Sequence, residues 1–227
     1  MSTLSCPELP QLFWGAARSS KNDDQLNPAE LEIVKGASTR RKVQFRIGRA
    51  AARLALRSCG FSSDQPILTG ASGEPLFPES FVGSISHCAV DRARNEWIGC
   101  AVVCKAAEAA SIGVDIEDLA RPLTDGIERL ICRPNEMKWI REDQDEVKLR
   151  LLQIFSAKEA LYKAIFKFEP RYIGFHEVEL SWEWESDGFK VVRLPATWRR
   201  SDVVLTAVRS ELVDGLVRSV VVAHEMQ

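Results

Sequence analysis

No apolar run in this sequence approaches the ~18 residues of a membrane span, so a transmembrane helix is not expected. The opening "MSTLSCPELPQ" lacks the basic and apolar regions of a signal peptide, so a cytoplasmic protein is expected. There is no excess of charge of either sign. Thirty Lys+Arg against 32 Asp+Glu leave a net −2, which gives no general attraction to nucleic acid or to membranes. Any basic site must therefore be local. The six cysteines (Cys6, Cys59, Cys88, Cys100, Cys104 and Cys132) make no C-x-x-C pair. Cys100 and Cys104 are four apart, but no second pair or nearby His completes a zinc set, so reduced and mostly buried thiols are expected. No P-loop and no G-x-G-x-x-G is present, and there is neither a low-complexity tract nor a short repeat.

What the chain does have is an ordinary globular composition, with 45% apolar and 27% charged residues. Its 227 residues suffice for one large domain or two small ones. Residues 1–27 read as an irregular lead-in. Asn27-Pro28 opens a helix to about Lys35. A second helix runs from about Ser38 to Cys59 and stops at Gly60. Pro66 to Pro78, containing "GASGEP", is a loop. "FVGSISHCAV", "WIGCAVVCKAA" and "SIGVDIED" are strands. Helical patterns follow at about 124–132, from Pro134 to about Glu142, and over "VKLRLLQIFSAKEALYKAIF", the last with a junction near Phe155-Ser156. The tail holds four strands with tight turns at Asp187-Gly188 and Asp214-Gly215. Each half thus offers helices and then a strand meander. The expected class is α+β, as two similar halves covering residues 1–110 and 111–227.

Four constellations carry chemistry. In "SIGVDIEDL", Ile112, Val114 and Ile116 alternate with polar or small residues, so Asp115 and Glu117 share the other face of a strand. Two carboxylates placed so would be relieved by a hard divalent cation, Mg²⁺ or Mn²⁺. Taken alone, the strand favours the plainer reading of a solvent-facing edge with two ordinary acids. In "FSAKEALYKA", Ser156 and Glu159 form a capping box and Glu159 and Lys163 a helix pair. The functional reading makes Glu159 a third carboxylate, with Lys158 and Lys163 holding phosphate oxygens. The segment from Arg40 to Arg57 has seven basic residues and no acid. On a helix, Lys42, Arg46, Arg49, Arg53 and Arg57 fall within an arc of about 80°, either a solvated face or the seat of an anion. In "VGSISHC", His87 stands beside Ser84 and Ser86, whose hydroxyls suit a phosphate or the backbone. Together these features suit a phosphorylated nucleotide. A metal-dependent nuclease or nucleotide hydrolase is the rival, although the Glu-x-Lys that such nucleases need is missing after Glu117.

"GRAAARLAL", "GEPLFP", "VGSISHC", "IGVDIE", "FSAKEALYKA" and "YIGF" follow one another between about residues 41 and 175. In that order they resemble the phosphopantetheinyl transferases of the large single-chain type, the branch that includes the enterobactin synthase component. The resemblance implies a pseudo-two-fold pair of α/β halves with coenzyme A between them. It implies transfer of the 4′-phosphopantetheine arm to a serine of an apo carrier protein of fatty acid, polyketide or nonribosomal peptide synthesis. Adenosine 3′,5′-bisphosphate would be released. The implied Mg²⁺ ligands are Asp115, Glu117 and Glu159. Lys158 and Lys163 would lie beside the pyrophosphate, with Glu159 as the leading general base. Ser86 and His87 would meet the nucleotide, His87 near its 3′-phosphate. Arg41, Arg49 and Arg53 would hold phosphates, and Gly73, Glu74 and Pro75 would lie near the adenine. Thr69 and Glu74 stand where some relatives carry a basic residue, and Asp118 receives no role. The resemblance also implies a monomer. A non-catalytic binder of coenzyme A or of the carrier protein is the remaining alternative.

Overall fold

A strand, β1 (Phe13–Arg18), lies within the segment read as an irregular lead-in. Its sequence "FWGAAR" has too little alternation to announce itself, and pairing with a later strand defines it. The computed structural model describes residues 9–19, 26–91, 93–185 and 187–226. After β1 come helices α1 (Pro28–Ile33) and α2 (Thr39–Ser58), then a short hairpin of β2 (Leu68–Thr69) and β3 (Pro75–Leu76). Strands β4 (Phe81–Asp91), β5 (Glu96–Lys105) and β6 (Ser111–Asp118) follow. Next are helices α3 (Glu128–Ile131), α4 (Pro134–Ile140) and α5 (Val147–Ile165), and a 3₁₀ turn at Phe175–Glu177. The chain closes with β7 (Glu179–Glu183), β8 (Gly188–Arg193), β9 (Val203–Val213) and β10 (Leu216–Glu225).

Two antiparallel sheets result, of order β1-β5-β4 and β6-β10-β9-β8-β7. The path β1, α2, β4, β5 is repeated as β6, α5, β9, β10, so the first three strands of each sheet are threaded alike. The same device seats each long helix. A Cβ placed on Gly15 of β1 would lie 2.1 Å from the Ala51 carbonyl of α2, and one on Gly113 of β6 would lie 1.8 Å from the Ala160 carbonyl of α5. Glycine in the strand opposite alanine in the helix lets the backbones touch. Both long helices therefore bury small residues, Ala50, Ala51, Ala52 and Ala55 in one, Ala157, Ala160 and Ala164 in the other.

Between the sheets, Val102, Cys104, Ile112, Val114, Ile116, Val220 and Val222 form one dry layer. Ile112, Val114 and Ile116 are the apolar positions of "SIGVDIED", so its alternation is a core face. The two sheets meet where β4 runs beside β6. The Val114 N–H donates to Ser84 Oγ at 3.0 Å, and Ser86 Oγ donates to Asp115 Oδ1 at 2.8 Å. The Ser-x-Ser pattern thus stitches the two sheets together.

Other details depart from the sequence reading. Helix α5 is one continuous 19-residue helix, so Ser156 is an interior residue and no capping box forms. Its hydroxyl is buried without a partner. Continuous burial of Leu152, Ile154, Ala157 and Leu161 outweighs the local capping signal. The helix expected at 124–132 is a single turn. Asp214 and Gly215 have φ of 51° and 78°, the conformation of the tight hairpin turn expected there. Cys88, Cys100, Cys104 and Cys132 are buried free thiols and Cys59 is half-buried. Burial pushes Cys88 up to about 12 and Cys100 up to about 11, which leaves them unreactive. Cys6 lies outside the described residues.

Candidate active site

Strand β6 carries Asp115 on the face opposite its core residues, the face that Gly113 turns toward α5. Asp115 is 6% exposed. Its Oδ1 accepts from Ser86 Oγ at 2.8 Å and from Lys163 Nζ at 2.9 Å. Lys163 also donates to the Val114 carbonyl at 2.8 Å, which anchors α5 to the acidic strand. Asp115 Oδ2 is buried with no hydrogen-bond partner. Glu117, two residues on, is paired with Arg121. Burial, then the charge of Asp115, pushes the Glu117 carboxyl up to about 7, against the pull of Arg121. Glu159, on α5, is also pushed up, first by burial and then by Asp115, with Lys163 opposing. The Asp115 carboxylate thus raises the cost of ionising both Glu117 and Glu159, with Arg121 and Lys163 opposing.

That donor set fits a hard divalent cation. Its groups are carboxylate oxygens, and the orphaned Asp115 Oδ2 is a buried acceptor awaiting a positive partner. The fit is not ready-made. Among the described residues no three His, Cys, Asp or Glu side chains stand in a metal-binding arrangement. Glu117 is turned to Arg121 instead.

Lys158 requires a correction. The K-E-x-x-x-K pattern offers it as a phosphate ligand, but its side chain has no exposure at all. Nζ donates to Glu136 at 2.7 Å and to the carbonyls of Ile131, Phe175 and Val178 at 2.9, 2.9 and 3.1 Å. Lys158 and Glu159 are adjacent on a helix and so point about 100° apart. When Glu159 faces the cleft, Lys158 faces the core. Glu136, also fully buried, accepts from the N–H groups of Arg133 and Leu180 and completes this knot.

Two of the three arginines are likewise engaged elsewhere. Arg49 donates through Nε to the Ile67 carbonyl at 2.6 Å, and through its terminal nitrogen to the Leu68 carbonyl and Thr69 Oγ1. Its guanidinium lies over the Phe45 ring. Arg53 pairs with the fully buried Glu30, which also accepts from the Ile67 N–H. These arginines fasten α2 to α1 and β2 and are not aimed at a cleft. The distant acid Glu30 supplies the counter-charge that the helix sequence lacks. Arg41 is exposed in the first turn of α2, beside Arg40 and Lys42. Three cations at a helix N-terminus add to the positive end of its dipole, a field that favours an anion.

His87 and Arg40 line a small cavity of about 190 Å³ with Gln44, Trp97, Glu117 and Arg121. The Arg40 guanidinium lies over Trp97, 4.8 Å from the ring centroid, and Trp97 meets His87 edge-on. His87 Nδ1 is buried with no partner, and burial lowers its pKa. A much larger cavity of about 980 Å³ opens along the first residues of β4, lined by Gly73, Glu74, Pro75, Glu159, Lys163 and Tyr172 among others. Its walls include Phe77, Tyr162, Phe166 and Phe175. Gly73 has φ +95°, which suits glycine in this turn, and Glu74 Oε2 accepts from the Ser72 N–H at 3.0 Å.

The sequence reading missed Arg40, Gln44, Trp97, Arg121, Tyr162 and Phe166. For two of these a signal was available. Glu159, Tyr162, Lys163 and Phe166 recur at the three- and four-residue spacing of one helical face. Nothing local marks Trp97 or Arg121, because strand pairing and a turn bring them to the site.

Residues 29–93 match the family model of the 4′-phosphopantetheinyl transferase N-terminal domain, and residues 111–208 that of the 4′-phosphopantetheinyl transferase superfamily. The chain is 35% identical over 162 residues to 4′-phosphopantetheinyl transferase Svp of Streptomyces mobaraensis, a match covering 69% of this chain and 61% of that protein. It is 33% identical over 165 residues to 4′-phosphopantetheinyl transferase Npt of Nocardia iowensis, covering 72% and 69%. To enterobactin synthase component D of Salmonella typhimurium it is 31% identical over 174 residues, covering 73% and 65%. The matches thus span about two thirds of these relatives. Strand β6 and helix α5, with their acids and lysines, fall inside the second matched segment, and the chain belongs to the 4′-phosphopantetheinyl transferase superfamily.

Proposed function

We propose that this chain transfers the 4′-phosphopantetheine arm of coenzyme A to a serine of an apo carrier protein and releases adenosine 3′,5′-bisphosphate. The observation that carries this is the meeting of Asp115, Glu159 and Lys163 at the junction of two sheets, on the edge of a cavity of about 980 Å³. Family membership sets aside the nuclease and hydrolase reading.

In this mechanism the serine oxygen attacks the β-phosphorus of coenzyme A. The bond from that phosphorus to the bridging oxygen breaks, and the nucleotide leaves with the oxygen. Asp115, Glu117 and Glu159 would hold Mg²⁺, with Mn²⁺ as the alternative; such an ion offsets charge on the pyrophosphate. Lys163, 32% exposed and already fixed by two acceptors, presents its ammonium to the transferring group. Glu159 takes the serine proton; a carboxyl pushed up by burial suits that task. Arg40, Arg41 and His87 receive the nucleotide phosphates, and Gly73 to Pro75 lie by the adenine. The aromatic walls of the large cavity shelter the pantetheine arm. Lys158 contributes by fixing α5, and Arg49 and Arg53 by fixing α2. Positioning and electrostatics supply the acceleration.

Both sides of the cleft come from one chain, which supports a monomer. No helix among the described residues is long and apolar enough to cross a membrane, and action in the cytoplasm fits coenzyme A as donor. Carriers of fatty acid, polyketide or nonribosomal peptide synthesis are the acceptor class.

The test is mass spectrometry of a panel of apo carriers incubated with the protein, coenzyme A and Mg²⁺. A carrier should gain the mass of one arm while the bisphosphate appears in equal amount, and Asp115→Asn should abolish both. Coenzyme A binding without any modified carrier would leave only the non-catalytic binder.

A further inference from the structure

Arg121 is the residue near the acids to which neither the motifs nor the mechanism assigns a role. It sits just beyond β6, in a turn closed by its own N–H donating to the Asp118 carbonyl at 3.1 Å. That turn bends the chain back, so its guanidinium reaches Glu117 four residues earlier. The guanidinium also lies 5.7 Å from the centroid of Phe155, on α5. Arg121 Nε is buried and makes no hydrogen bond. The side chain is 28% exposed and its partner Glu117 13% exposed. The pair is therefore sheltered enough for its charges to matter.

We infer that Arg121 is a built-in counter-cation, which holds Glu117 through Oε2 when no metal is bound and competes with a divalent ion for that carboxylate. The inference rests on the metal reading above. A guanidinium donor and a metal ion both need the lone pairs of a carboxylate oxygen, and two positive charges at one oxygen repel. Asp115 likewise has one oxygen engaged: its Oδ1 is taken by Ser86 and Lys163, while Oδ2 is left open. On Glu117 the engaged oxygen is Oε2, and its partner is Arg121. Arg121 then sets the affinity of the site, and it keeps the acids from repelling each other when the site is vacant. The unbonded Nε and the neighbouring cavity of about 190 Å³ leave the guanidinium somewhere to turn once released.

The test is direct titration with Mn²⁺, followed by the electron spin resonance signal of the free ion, without coenzyme A or carrier. It is done at pH 8 for every variant. Arg121→Gln and Arg121→Ala should each bind Mn²⁺ about tenfold more tightly than the wild type, a difference of about 1.4 kcal/mol. Circular dichroism confirms that at least one of the two is folded. Asp115→Asn should bind at least tenfold more weakly in either background. If folded Arg121 variants bind Mn²⁺ no more tightly than the wild type, the counter-cation role is refuted while the metal site stands. If the wild type and the Arg121 variants all bind no Mn²⁺, the metal site fails and that role with it.

Discussion

Replacing Lys158 with Met decides between a phosphate-binding lysine and a buried fastener. Met keeps most of the stem volume and removes only the ammonium. Four acceptors surround that ammonium, three carbonyls and Glu136 Oε2, all within 3.1 Å. They belong to the end of α3, to α4, to the 3₁₀ turn and to the start of β7, so one charge ties four segments to α5. Neither partner of the ion pair has any side-chain exposure. Removing one partner of such a pair leaves an uncompensated buried charge, at a cost of about 3–5 kcal/mol. Glu136 keeps its bonds from the Arg133 and Leu180 N–H groups, which places the expectation near the lower end. In a chain of this size about 3 kcal/mol lowers the melting temperature by roughly 6–12 °C. The assay is urea and thermal unfolding of the wild type, Lys158→Met, Glu136→Leu and the double variant. The double variant should be more stable than the sum of the single losses, since no lone charge remains. If Lys158→Met melts with the wild type but loses transfer activity, the burial argument is wrong and the lysine acts on phosphate.

Glycine-to-alanine changes at the two helix seats should separate stability from chemistry. Gly113→Ala and Gly15→Ala each drive a Cβ to within about 2 Å of a helix carbonyl, so each should cost roughly 1–3 kcal/mol in urea unfolding. Only Gly113→Ala shifts the Asp115 strand against Glu159 and Lys163, so only it should lower kcat of the folded enzyme, by tenfold or more; equal kcat losses in both variants would contradict this. Burial lowers the pKa of His87 and His224, so the unfolded chain, which takes up protons near 6.5, binds more protons there than the fold does. Their contribution is therefore complete above that value and is lost as the pH falls below it, by up to about 1.4 kcal/mol per pH unit for each. Melting temperatures measured from pH 7.5 to 5.5 should show this slope, and a His87→Asn/His224→Asn variant should flatten it; an unchanged slope would count against it.

Much of the chain could be read from local signals, because those signals are local physics. Ser38 and Gly60 bound α2, alternation marks β6, and the Asp214-Gly215 pair makes its turn whatever lies around it. The acids at Asp115, Glu117 and Glu159 were legible as a set by chemistry and by resemblance. Tertiary structure alone decided which cations serve them. Arg49, Arg53 and Lys158 look as available in the sequence as Lys163. The first three instead meet backbone carbonyls or the buried acids Glu30 and Glu136, contributed by segments 17 to 27 residues away. Conversely, Arg121 reaches Glu117 through a turn that no motif marks. A sequence shows which side chains bear charge, but the charge each one meets depends on how distant segments pack.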